Sequence, residues 1–74
     1  MALINKMERI SRNSKVHAEV ETSYNVVIKN GKKYVQLNTY GSRERKQKGE
    51  VSQTIQLSEE AINKLQEIIK NEDY

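Results

Sequence analysis

Tyr34, Gln36, Asn38 and Tyr40 recur at every second position of the chain. Lys32 and Lys33 precede them, and Arg43, Arg45, Lys46 and Lys48 follow. Alternate residues of an extended strand point to one face. The four side chains therefore share a surface with two aromatic rings, two amides and a rim of positive charge. Exposed rings stack on unpaired nucleobases, and Lys and Arg meet phosphates. That combination suits single-stranded nucleic acid. A lone half-exposed tyrosine is ordinary in a strand, because tyrosine favours extended backbone. Two on one face, both flanked by basic residues, favour binding.

Other reactive chemistry is sparse. His17 is the one histidine. As a catalytic base it would need a nucleophile and an orienting acid, and the sequence specifies neither. There is no cysteine, hence no disulfide and no thiolate metal site. No carboxylate cluster reads as a metal-dependent nuclease centre. Gly31, Gly41 and Gly49 mark turns and form no phosphate-cradling motif. The expectation is a non-enzymatic protein with no catalytic residue, metal or cofactor.

The charge map agrees with a polyanion partner. The net charge is +3, but residues 1–48 hold eleven basic and four acidic groups, whereas residues 49–74 hold two basic and six acidic ones. Such asymmetry turns one side toward polyanions and another away. No apolar run of about 18 residues is present to span a membrane, and the N-terminus does not read as a signal peptide. The expected location is the cytoplasm.

These side chains need elements to position them. Val16, Ala18, Val20, Thr22, Tyr24, Val26 and Ile28 alternate with polar residues and predict a long half-buried strand. Asn30-Gly31 predicts a type I′ hairpin turn, whose two central residues need positive φ. A two-residue turn fixes the register. Val26 then faces Val35 and Tyr24 faces Leu37 on an apolar face that also carries Ile28 and Lys33. Val27 faces Tyr34, Asn25 faces Gln36 and Ser23 faces Asn38 on the polar one. Residues 41–49 predict a basic loop, adaptable because it holds no apolar anchor. Residues 50–57 return as a strand. Ser58 predicts a helix N-cap, with Glu59 and Glu60 suiting the first turn. Residues 1–15 read as a basic arm with at most a short helix through Leu3, Ile4, Met7 and Ile10.

The predicted fold is α+β: a curved antiparallel sheet of three to four strands followed by one C-terminal helix. Residues 1–15 form the arm and residues 16–74 a single β-β-β-α domain. Small cores without staples often gain stability by oligomerising. Ile62, Leu65, Ile68 and Ile69 on the helix stripe are the candidate contacts of a homodimer.

The order of parts resembles the positive cofactor four family of single-stranded DNA-binding transcriptional coactivators and their bacterial and phage relatives. The matching segments are Tyr24-Asn-Val-Val-Ile-Lys-Asn-Gly31, Lys33-Tyr-Val-Gln-Leu-Asn-Thr-Tyr40, the 41–49 loop, Thr54-Ile-Gln-Leu-Ser58 and the helix. Tyr40 corresponds to the aromatic that ends the family's second strand, and Lys48 to the basic residue before its loop glycine. The family's usual loop proline is missing here. Its four strands require either two strands within residues 16–29 or one from the arm. The resemblance implies a homodimer whose sheets and loops grip single strands.

The leading expectation is thus a single-stranded DNA or nucleic-acid binder acting in transcription, replication or recombination, through Lys32, Lys33, Tyr34, Gln36, Asn38, Tyr40, Arg43, Arg45, Lys46 and Lys48. The alternative is a protein-interaction module of a phage or mobile element that inhibits a host defence enzyme.

Overall fold

The structure is a computed structural model describing residues 1–41 and 50–74. The basic loop and its expected adaptability lie outside the described residues. Four strands and one helix follow in the order β1 (Ala2–Ile4), β2 (Thr22–Lys29), β3 (Lys32–Thr39), β4 (Gln53–Leu57) and α1 (Glu59–Asn71). They build a four-stranded sheet in the order β1-β4-β3-β2, followed by the helix. The class is α+β, as the hydrophobic periodicities imply.

The hairpin forms as its turn dictates. Asn30 and Gly31 adopt φ of 53° and 76°, the positive pair that a type I′ turn requires. Pairing runs from Lys29↔Lys32 to Thr22↔Thr39, with Val26 opposite Val35 and Val27 opposite Tyr34. The Tyr40 N–H continues the ladder by donating to the Glu21 carbonyl at 3.1 Å. On the other side of β3, Leu37 meets Ile55 and Val35 meets Leu57 in β4.

The strand predicted from Val16 begins only at Thr22. Residues 16–20 have the right alternation, but none of the described strands runs beside them. The neighbouring strand β3 ends at Thr39, and Gly41 two residues on adopts φ of 77°. Val16 is left 97% exposed and His17 lies off the sheet, also exposed. The return strand likewise starts later than expected, at Gln53. Val51, two residues before it, is 45% exposed.

The arm supplies the fourth strand. Residues 2–4 are extended and not helical, and they pair parallel to β4 through Ala2↔Ile55, Leu3↔Gln56 and Ile4↔Leu57. The sheet is therefore mixed. This register puts Ala2 and Ile4 on the apolar face, beside Ile55 and Leu57. Residues 5–21 carry no regular secondary structure.

Helix α1 starts where the sequence marks it. Ser58 is the N-cap, and its Oγ accepts from the Ala61 N–H at 3.3 Å. The same hydroxyl donates to Asn5 Oδ1 at 2.7 Å, and the Ser58 N–H donates to the Ile4 carbonyl at 3.1 Å. The cap thus locks the end of β1 to the start of the helix. At the other end, Arg9 from the arm meets Glu72 at 2.8 Å. The helix packs on β3 and β4. Its apolar stripe requires the apolar sheet face, which carries Val35, Leu37, Ile55 and Leu57. Ala61 is the one buried hydrophobic residue among the described residues. No described helix is long and apolar enough to cross a membrane.

Candidate nucleic-acid interface

The alternation of β2, β3 and β4 builds the face opposite the helix. Ser23, Asn38 and Thr54 form one cross-strand row, and Asn25, Gln36, Gln56 and Leu3 form the next. Val27 and Tyr34 form a third, and Lys29 and Lys32 close the face at the turn.

The amides in these rows are joined side chain to side chain. Gln56 Nε2 donates to Gln36 Oε1 at 2.9 Å, and Gln36 Nε2 donates to Asn38 Oδ1 at 2.8 Å. Asn38 Nδ2 then donates to Asn25 Oδ1 at 3.0 Å and Ser23 Oγ at 3.2 Å. Ser23 Oγ and the Tyr40 hydroxyl lie 2.7 Å apart. The result is a polar ladder crossing three strands and ending on an aromatic ring. Asn38 sits at its hub and is only 8% exposed. Every described buried polar side-chain atom has a partner. Such a ladder holds side chains in single orientations on a surface where they would otherwise sample many rotamers. The arrangement follows from the registers of β2 and β4 on β3: Gln36 and Asn38 are alternate residues of one strand, and every other bonded pair is directly opposite or one diagonal away.

Tyr34 and Tyr40 are both half-buried and lie at opposite ends of this face. Six residues of extended chain separate them by about 20 Å. Tyr40 is held by Ser23. Tyr34 borders a shallow depression lined by Leu3, Val27, Lys29, Asn30, Lys32 and Gln56. The depression brings a tyrosine, two apolar residues and two lysines to one lining.

Lys29 and Lys32 are directly opposed across the turn. Like charges at that spacing repel and destabilise the pair. Neither has a carboxylate partner among the described residues. An anion bridging them would relieve the repulsion.

Of the residues singled out by sequence, Lys32, Tyr34, Gln36, Asn38 and Tyr40 share this face. Lys33 does not, because it pairs with Ile28 on the apolar side. Arg43, Arg45, Lys46 and Lys48 lie outside the described residues. Ser23 and Asn25 lie beside Asn38 and Gln36, as the hairpin register predicts, and Lys29 and Gln56, which were not among the candidate residues, belong to the face as well. For Lys29 the signal was the same hairpin register, which sets it opposite Lys32. Gln56 lies on a strand whose register no turn in the sequence fixes. Among the described residues, no group of three or more His, Cys, Asp or Glu is placed to hold a metal ion.

On the helix stripe, Leu65 and Ile69 are 39% and 44% exposed. Ile62 and Ile68 are half-buried, and Ile68 borders a cleft against Met7 and Ile10 of the arm.

Comparison with protein-family models, curated proteins and solved structures returns no match for this chain.

Proposed function

We propose that this protein is a non-enzymatic binder of single-stranded nucleic acid that works through the polar sheet face. The observation that carries the reading is the company kept by Tyr34. It shares an open face with Tyr40, with the opposed pair Lys29 and Lys32, and with an ordered amide ladder between the rings. Bases stack on rings whatever their sequence, and a held amide row offers donors and acceptors to their edges. The lysine pair supplies the anion site for the backbone. In sequence, Arg43, Arg45, Lys46 and Lys48 follow directly after Tyr40 and extend the positive charge beyond the second ring. Kinship with the positive cofactor four family is part of this proposal, as is action in the cytoplasm on strands opened by transcription, replication or recombination.

Duplex DNA is the disfavoured ligand, because its bases are already stacked and cannot reach a flat sheet. The test is a fluorescence-anisotropy titration with single-stranded DNA, single-stranded RNA and duplex DNA of equal length at two salt concentrations. Single strands should bind more tightly than duplex. Tyr34→Ala should cost about 1–3 kcal/mol of that affinity. Equal affinity for duplex, with no effect of Tyr34→Ala, contradicts the proposal. Absence of binding to every oligomer at low salt would favour the protein-interaction reading.

A further inference from the structure

The polar face ends unevenly at the hairpin turn. On β4 it stops at Gln56, because Leu57 belongs to the other face and β4 ends there. The next residue, Ser58, commits its hydroxyl to the helix cap and to Asn5. On β2 and β3 the face runs two rows further, through Val27 and Tyr34 to Lys29 and Lys32. The step between the long strands and the short one leaves the depression beside Tyr34. Its volume is about 510 Å³, the scale of a small-molecule site.

The charge in this depression is uncompensated. Lys29 and Lys32 are directly opposed, which sets their Cβ atoms about 4.5–5.5 Å apart. Neither has a carboxylate partner among the described residues, and no Asp or Glu lines the depression. The pair therefore presents two positive charges to one ligand group. An internal phosphodiester carries one negative charge and leaves a lysine unmatched. A phosphate monoester carries about −1.5 to −2 at neutral pH, with three strong acceptor oxygens, so it matches both. Position along the hairpin agrees. Asn30 and Gly31 turn the chain directly behind the lysines. A strand lying along the face from Tyr40 past Tyr34 runs off the protein at this point, so what the lysines meet there is a strand's end.

We infer that the depression holds the phosphorylated end of a single strand. The terminal phosphate bridges Lys29 and Lys32, and the terminal base stacks on Tyr34 beside Val27 and Leu3. Lys32 and Tyr34 are about 7 Å apart along the strand, comparable to the reach from a nucleotide's phosphate to its own base. Gln56 is anchored through Nε2 to Gln36 at 2.9 Å and brings a fixed amide to the base edge. The assignment rests on the single-strand reading of the face and specifies which phosphate the lysine pair takes.

A competition titration on the full chain tests it. Unlabelled oligonucleotides of one sequence, carrying a 5′-phosphate, a 3′-phosphate or neither, displace an internally labelled single strand. One phosphorylated form should compete about fivefold better than the unphosphorylated one at low salt, the gain for one added charge about 4 Å from an ammonium group in a water-like dielectric. The end that wins fixes the direction in which a strand lies on the face. In Lys29→Gln/Lys32→Gln the three forms should compete equally, and circular dichroism checks that the fold persists. Tyr34→Ala should weaken all three and keep the preference. Equal competition by the three forms on the wild-type chain overturns the site and leaves the single-strand reading standing. A preference that survives in the lysine variant also overturns it, because the terminal phosphate then sits elsewhere. Nucleoside monophosphate competing as well as the phosphorylated oligonucleotide overturns the strand-end assignment in favour of a free nucleotide. Absence of binding by every single strand removes both the site and the reading it rests on.

Discussion

Lys29 and Lys32 hold the most informative side chains of the hairpin, because their placement opposes stability. They are cross-strand partners at the turn, where an unlike pair would be favourable. Lys32→Glu would convert repulsion into attraction. We predict that this variant melts at a higher temperature, by the equivalent of about 0.5 kcal/mol, while its affinity for single strands falls. A change that stabilises the fold and weakens binding marks a position kept for its ligand. A fall in both quantities would make the lysines structural. Asn38 makes the complementary case. It accepts one side-chain hydrogen bond and donates two. Asn38→Ala should cost about 1–2 kcal/mol in a denaturant titration, because three partners lose a bond but water can reach most of them. Binding should weaken less than in Tyr34→Ala, since the rings remain.

The helix cap does two jobs that sequence reading separates. Ser58 Oγ caps α1 and also holds Asn5 at the end of β1. Ser58→Ala should therefore cost more than an isolated cap, about 1–2 kcal/mol or slightly above. It should also speed amide exchange in Ala2–Ile4 relative to β3. An unchanged β1 would show that pairing with β4 alone holds that strand. The hairpin was legible from Asn30-Gly31 and the flanking alternation, because a turn of that type permits a single register. The helix was legible from its cap and stripe. β1 was not: three residues are too few to show a period, and Leu3 with Ile4 fits a helical spacing to Met7 and Ile10 as well as a strand. The over-long first strand failed for a related reason. Alternation reports what a segment could bury, whereas a strand also needs a neighbour, and β3 ends at Thr39. The polar face was legible as a face. Its bonding into one ladder was not, since Gln56 comes from a strand whose register depends on β3 and not on any local turn.

Seen whole, the protein has two faces with different tasks: a polar face that carries the proposed ligand chemistry and an apolar face on which the helix packs. Positive charge is concentrated before residue 49 and negative charge after it, which keeps the helix end of the chain from competing for a polyanion. Salt dependence should expose this division. Three or four phosphate contacts per subunit give a slope of roughly −2 to −3 in log affinity against log salt. Lys29→Gln/Lys32→Gln should flatten that slope by about 1.4, at about 0.7 per lost contact. Tyr34→Ala should lower affinity with the slope nearly unchanged, because a lost stack releases no counterions. The most direct measurement is a nitrogen–proton correlation spectrum recorded as a short single-stranded oligonucleotide is added. The side-chain amides of Asn25, Gln36, Asn38 and Gln56 report the polar face, and those of Asn63, Gln66 and Asn71 on α1 serve as internal controls. The account predicts shifts in the first group at stoichiometric oligonucleotide while the helix amides stay in place. Shifts confined to the helix amides and β2's apolar residues, with the ladder amides unmoved, would contradict it.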